Sequence, residues 1–331
     1  MSSWQWTKWY DLGSGSADNL ASTPPSVDGI DIDRLLEPQY LYDGNNWNDT
    51  EGAPVKSVKV VDETPARVLV DAIISMPPAG TELHTAYTVY ASGRVASFST
   101  VTNVGATTLN FAMTESNYVS VNGHLTNGTL TWAKTSYMSV SGGFLRQDGP
   151  SPRSSLLVIN TQKQTDLNAD SMNLNWYWGE GPALMLTPGQ TYNSSGELQL
   201  GPGDQTQITQ GSRTDDVLSP GLTVQSGGIP TGTGWDVARS AYTVTANAGA
   251  TSVVFGPTTD HTRYWPAFVV TGFTPPKWHV TLGGQEIVSS ASLDGIGALA
   301  SSANNEIVIV LGTTIMQGAS DSERLLTLEA Q

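Results

Sequence analysis

Cysteine is absent from the 331-residue chain, which removes disulfides, thiolate metal sites and cysteine nucleophiles from consideration. Histidine is scarce, with four residues, at positions 84, 124, 261 and 279. None sits in a pair such as H-x-x-x-H that would bring two imidazoles to one metal, so zinc is not expected. Cations are also few: 15 Lys and Arg stand against 30 Asp and Glu, a formal net charge of −15. Nucleic acid and anionic membrane surfaces require cations to neutralise phosphate, so neither is an expected partner. No stretch approaches the ~20 apolar residues of a spanning helix, and membrane insertion is not expected. No G-x-S-x-G elbow occurs and no glycine loop precedes a helix, which excludes α/β-hydrolase and nucleotide chemistry.

The opening Met1-Ser2-Ser3-Trp4 lacks a charged segment followed by an apolar one. Together with a polar fraction dominated by Ser, Thr, Asn and Gly, this leads to the expectation of an extracellular or cell-surface protein whose signal segment has been removed. The same polar residues suit the solvent face of strands and turns better than helices.

Ala66–Val121 is the stretch with the clearest pattern. Val68, Val70, Ala72 and Ile74 alternate with other residues, as do Tyr87, Val89, Val95, Ser97, Ser99 and Val101, the period of two that marks strands with one buried face. Tyr90-Ala91-Ser92-Gly93-Arg94 and Asn103-Val104-Gly105 supply turns, and Asn127-Gly128 is the strongest short hairpin signal. No segment holds a 3.6-residue period for three turns. The expected fold is therefore all-β, a large antiparallel sandwich with a smaller C-terminal β-sandwich region.

Arg67-Val68-Leu69-Val70, then Tyr87-Thr88-Val89-Tyr90-Ala91-Ser92-Gly93-Arg94-Val95, then Val101-Thr102-Asn103-Val104-Gly105 follow one another in an order that resembles the galactose-mutarotase-like (supersandwich) β-domain. Aldose epimerases and the β-domains of many polysaccharide lyases and glycoside hydrolases carry that domain. The resemblance covers Trp9 to Pro202, with Leu186-Thr187-Pro188-Gly189-Gln190-Thr191 similar to a strand entry common in those sandwiches. It implies carbohydrate as ligand and lyase-type β-elimination as the activity. In that reaction a Tyr, His or Lys moves the protons and an Arg or amide neutralises a uronate carboxylate.

Along the chain, residues 1–203 read as the supersandwich-like domain, 204–234 as a loop-rich linker poor in apolar anchors, and 235–331 as a C-terminal β-domain or second sheet. Strands are expected at Ala241–Val244, Ser252–Phe255, Ala267–Val270, His279–Leu282, Glu306–Leu311 and Leu325–Leu328, with Gly283-Gly284 as a turn. Ile30–Pro38 reads as one short helical turn stopped by its proline.

The candidate chemistry gathers at Asp260–Trp265, which holds a base, a cation, a phenol and a ring within six residues. His261, Arg263 and Tyr264 are the candidate catalytic residues there, with His124 as a further one. Against a functional role, a lone His between strands is most often a structural residue, and Tyr264 and Trp265 also suit the sealing of a sandwich end. The chain holds 10 Trp and 11 Tyr, and Tyr42, Trp47, Trp176, Trp178 and Trp265 are candidate stacking platforms, since a flat ring covers the C–H face of a pyranose while short polar neighbours read hydroxyls. Asp43, Asn45 and Asp49 are hard oxygen donors at close spacing that suit Ca²⁺, although Asx-rich turns give the same composition. No cofactor is otherwise required.

An epimerase would draw on His84, His124 and Glu115, and a glycosidase on Glu115 and Glu180. The expected partner is a polysaccharide or oligosaccharide. The alternative to an enzyme is a non-catalytic glycan-binding or structural β-domain of a cell or virion surface, favoured by the absence of a clear catalytic set.

Overall fold

The computed structural model describes residues 30–42, 46–49, 54–76, 80–121, 144–148, 155–160, 174–178, 184–201, 221–247, 249–256, 263–295, 297–303, 305–316 and 318–331. Every regular element in them is a strand, so the protein is all-β. The chain divides into two units: residues 1–59, 70–87 and 96–206 form the first, and residues 60–69, 88–95 and 207–331 form the second.

In the first unit, β1 (Ile30–Tyr42) pairs with β2 (Asn46–Asp49) and with β7 (Leu109–Val121), which also pairs with β10 (Leu174–Trp178) and β11 (Leu184–Leu186). All of these pairings are antiparallel. The helical turn expected at Ile30–Pro38 is a strand instead. Pairing with β7 overrides the local preference, and register shifts between Ile32 and Arg34 and between Arg34 and Glu37 absorb the residues that break the alternation.

A seven-stranded sheet runs β3 (Val55–Glu63), β4 (Arg67–Met76), β5 (Thr81–Tyr90), β6 (Arg94–Asn103), β12 (Thr191–Gly201), β9 (Ser155–Asn160) and β8 (Phe144–Asp148). Its period of two follows the sequence at Tyr87 on β5 and at Val95, Ser97, Ser99 and Val101 on β6, all buried and joined on β5 by Leu83 and Thr85, but it breaks at Val89, which is half-buried between the buried Thr88 and Tyr90. The hydroxyls on this face meet each other, with Thr85 Oγ1 3.0 Å from Ser99 Oγ.

The second unit is a sandwich of two sheets. One runs β13 (Leu222–Ser226), β16 (Ala250–Phe255), β25 (Leu325–Ala330), β19 (Trp278–Leu282) and β20 (Gln285–Ser289). The other runs β14 (Gly228–Asp236), β15 (Ala241–Ala246), β18 (Ala267–Thr271), β23 (Glu306–Leu311), β22 (Ala298–Ala303) and β21 (Asp294–Gly295). A short ribbon pairs β17 (Arg263–Tyr264) with β24 (Thr314–Ile315). The six strands expected here are present; β13 and all but the last two residues of β14 lie inside the stretch read as linker. That stretch hides them because β14 is mostly exposed and shows no alternation of apolar residues.

Between the sheets, Tyr242, Phe255 and Phe268 pack at centroid separations of 5.0–5.6 Å, with Val253, Val280, Ile307, Ile309 and Leu328 around them. The opposite face of β15, β18 and β23 is buried too: Ala241, Ala267, Val269, Val308 and Val310 meet Ala66 and Tyr90 from the hairpin tips 60–69 and 88–95. Burial on both faces explains why Ala267-Phe268-Val269-Val270 and Ile307–Leu311 read as unbroken apolar runs.

The tips bring charge into this interior. Arg67, 1% exposed at its side chain, donates from Nε and Nη2 to Asp62 Oδ2 at 2.9 and 2.6 Å and from Nη2 to Glu306 Oε2 at 2.8 Å. Arg239 Nη1 donates to the other oxygen of Glu306 at 2.9 Å. Burial pushes the Arg67 pKa down, but hydrogen bonds to Glu306 and Asp62 outweigh it and hold the guanidinium above its ordinary value. Beside it, Tyr90 donates its hydroxyl to the Arg239 carbonyl at 2.6 Å, and the Arg94 guanidinium lies 4.5 Å from its ring centroid. Burial pushes the Tyr90 phenol up to about 12, opposed by the nearby Arg94 and Arg67.

Removing one member of a buried ion pair strands its partner, so Arg67→Ala should lower stability by ~3–5 kcal/mol in urea unfolding. Arg239→Ala, at a side chain 31% exposed, should cost no more than ~1 kcal/mol. Tyr90 adds an alkaline signature. The unfolded phenol loses its proton near pH 10 while the folded one keeps it toward pH 12, so its contribution is complete below pH 10 and falls as pH rises. Between pH 9 and 11 the wild type should lose ~1 kcal/mol more stability than Tyr90→Phe; parallel slopes for the two proteins would contradict this.

Candidate functional site

The second unit carries an open cleft of about 430 Å³. Its walls are Ala91 and Ser92 of the β5–β6 turn, Trp265, the Asp294-Gly295 pair and Gly297 with Gly312, over a floor that includes Leu299 and Val310. Each wall has a local cause. Gly93 takes φ 80° to close the β5–β6 turn, which sets Ala91 and Ser92 where they stand. Gly295 passes so near β20 that a Cβ there would lie 1.7 Å from the Ile287 carbonyl oxygen, so the backbone beside Asp294 can approach only without a side chain. Gly312 donates its N–H to the Gly297 carbonyl at 2.5 Å, joining the two glycine segments of the rim.

Trp265 holds the strained position. Its φ is 45°, a left-handed conformation that a bulky residue adopts only under constraint, and the next residue is Pro266, which further restricts it. The constraint comes from both sides: Arg263 and Tyr264 are held against Ile315 and Thr314, and the Pro266 carbonyl accepts the Leu311 N–H at 3.0 Å. The result is a half-buried indole at the cleft wall. Strain of this kind is retained at ligand-holding positions. Asp294, exposed and at the start of β21, supplies a carboxylate on the same rim. A flat ring, an acceptor pair and exposed glycine backbone over an apolar floor suit a small polar ligand with one apolar face.

Of the candidate site residues that are described, Trp265 alone is among those lining this cleft. Arg263, two residues before it, is 1% exposed and lies against Gly256, where a Cβ would come 2.7 Å from its Nε; its guanidinium is in the interior. Tyr264 is described by its backbone, paired with Thr314. His261 and His124 lie outside the described residues, as do Asp43, Asn45 and Glu180.

Trp47 and Asp49 fall on β2, opposite Leu41 and Gln39, and Tyr42 is the Cα partner of Asn46. Trp176 and Trp178 on β10 stand opposite Asn117 and Glu115. His84 is exposed and pairs with Asp71 across the β4–β5 hairpin. Among the described residues no group of three acidic or histidine side chains is placed to hold a metal ion.

Two carboxylates escaped the sequence reading. Asp294 sits in Asp294-Gly295-Ile296-Gly297, where the glycine spacing is the available signal of a tight rim. Glu197 is fully buried on β12 beside the buried Ser195, opposite Ile159; nothing in Ser195-Gly196-Glu197 distinguishes it from a surface turn.

No known family model matches the chain, and no curated protein matches it. Solved structures similar to it include heparan sulfate lyase from Pedobacter heparinus (10% identity, TM-score 0.35, over 65% of this chain and 28% of the lyase) and an α-galactosidase from Geobacillus stearothermophilus (10% identity, TM-score 0.35, over 56% of this chain and 32% of the galactosidase). A galactose-mutarotase-related enzyme from Lactobacillus acidophilus is a third (8% identity, TM-score 0.31, over 50% of this chain and 78% of that one). The chain thus matches about a third or less of the two longer enzymes, and no residue's role is carried over from any of them. The galactose-mutarotase-like group read from the sequence is represented among these structures.

Proposed function

We propose that this protein is a carbohydrate-active β-domain protein that holds the end of a glycan in the Trp265 cleft. The observation that carries this reading is the strained, half-buried Trp265 on the wall of a cleft that also presents a carboxylate. The indole covers the C–H face of a sugar ring, while the Asp294 carboxylate accepts hydrogen bonds from its hydroxyls. The cleft volume of about 430 Å³ is at the small end of ligand sites, which run from ~300 to ~1,000 Å³, and suits a mono- or disaccharide. An extracellular location fits a protein that meets polysaccharide, and calcium at Asp43, Asn45 and Asp49 is part of the same proposal, checked by calorimetric titration with Ca²⁺.

Lyase-type elimination is the second reading. It is favoured by the run His261-Thr262-Arg263-Tyr264 leading directly into Trp265, with Tyr264 anchored by the β17–β24 ribbon. In this reading His261 or Tyr264 moves the proton.

Binding is tested on an array of neutral and acidic glycans, followed by titration of the hits. Trp265→Ala should weaken binding at least ten-fold, the scale of ~1–2 kcal/mol for a lost aromatic contact, with the melting temperature kept. An array without hits would end the carbohydrate reading. Elimination is tested by absorbance near 235 nm on uronic-acid polymers, where a rise that His261→Ala abolishes is the expected sign of a lyase and a flat trace leaves binding without elimination.

A further inference from the structure

We infer that the Trp265 cleft selects neutral sugars and rejects uronic acids, a reading that rests on the cleft being the glycan site. Among the described residues that line it, Asp294 is the one with an ionisable side chain, so the charge these residues turn toward a ligand is negative. The cations nearest in sequence do not line the cleft. Arg263 is turned into the interior against Gly256. Arg94, two residues beyond Ser92, is fully buried and faces the Tyr90 ring. Arg67 and Arg239 are committed to Asp62 and Glu306. The net charge of −15 adds a field of the same sign over the whole molecule.

A carboxylate accepts hydrogen bonds and donates none, so Asp294 reads a ligand through donated hydroxyls. A C6 hydroxymethyl group supplies such a donor. A C6 carboxylate removes that donor and sets two negative charges near one another in a partly desolvated cleft, an arrangement that works as rejection of the wrong ligand. β-Elimination requires a C5 carboxyl to acidify the C5 proton, so the same charge pattern makes this cleft a poor place for that reaction and a good one for recognising a neutral glycan end.

The test uses the full chain and paired methyl glycosides that differ only at C6: glucoside with glucuronide, galactoside with galacturonide, mannoside with mannuronide. Saturation-transfer NMR and titration give the affinity ratio within each pair. For the pair that binds best, the neutral member should bind at least about ten-fold tighter at low salt, with the ratio shrinking in ~0.5 M salt. Asp294→Asn, at an exposed position, should keep the melting temperature, weaken the neutral sugar and reduce the ratio to about three-fold or less.

A uronide that binds as tightly as its partner, and loses binding in Trp265→Ala, would overturn the selectivity while leaving the glycan site in place. A neutral preference unchanged in Asp294→Asn would also overturn the assignment to this residue. Absence of binding by every member of both series, or binding unchanged by Trp265→Ala and Asp294→Asn alike, would remove the site and the selectivity together.

Discussion

The ion pairs of Arg67 are the constraint on which the second unit depends. A guanidinium that is 1% exposed needs a counter-charge buried with it, and Asp62 and Glu306 supply it through its Nε and Nη2. One comes from the adjacent strand and the other from the first residue of β23, so satisfying the charge fixes the 60–69 tip against the back of the sheet β15-β18-β23. Once the tip is there, Ala66 and Tyr90 complete the apolar layer over Val269, Val308 and Val310. Arg239 then closes the outer side of Glu306, and the Thr64 hydroxyl accepts from Ser301 at 2.9 Å. The polar contacts specify position; the apolar burial around them supplies most of the favourable free energy.

The cleft inherits its shape from the same arrangement. Ala91 and Ser92 reach its wall because they belong to the 88–95 tip, and Leu299 and Val310 serve both the cleft floor and the layer that the tips cover. Trp265 is held at its left-handed φ by a ribbon on one side and a β18 strand on the other. Rigid strands thus present a ring, a carboxylate and bare glycine backbone without a mobile part being needed, the usual relation of a site to its scaffold.

Much of this fold was legible in the sequence because its signals are local. Period-two runs, Gly93 and the Gly283-Gly284 pair at φ 58° and 81° mark strands and turns from a few residues each. The strand at Ile30–Tyr42 was not legible, because its bulges broke the alternation and the decisive partner, β7, lies far along the chain. β14 was hidden by exposure. At the site, Trp265 stands out in the sequence as an aromatic beside charged residues, whereas Asp294 has no charged or aromatic neighbour to mark it and joins Trp265 only as another lining residue of the cleft. Arg263 illustrates the converse: next to Trp265 in sequence, it faces the interior, since the direction of a side chain at the edge of a short ribbon is set by what packs on it. The Arg67–Glu306 contact bridges 239 residues, a separation at which no local pattern carries information.

That separation also sets a folding order. The hairpin tips are synthesised early, while the strands that cover Ala66 and Tyr90 and neutralise Arg67 come from residues 241–310. Until that later stretch emerges, an Arg and an apolar hairpin tip remain without their native surroundings. Contacts of such long sequence separation are closed at high entropic cost and form slowly. The interval leaves exposed strand ends open to association with other chains. Glu306 is a charge in a strand otherwise made of Ile, Val and Leu, and a strand end that covered it without bringing a cation such as Arg67 or Arg239 would leave that charge unpaired.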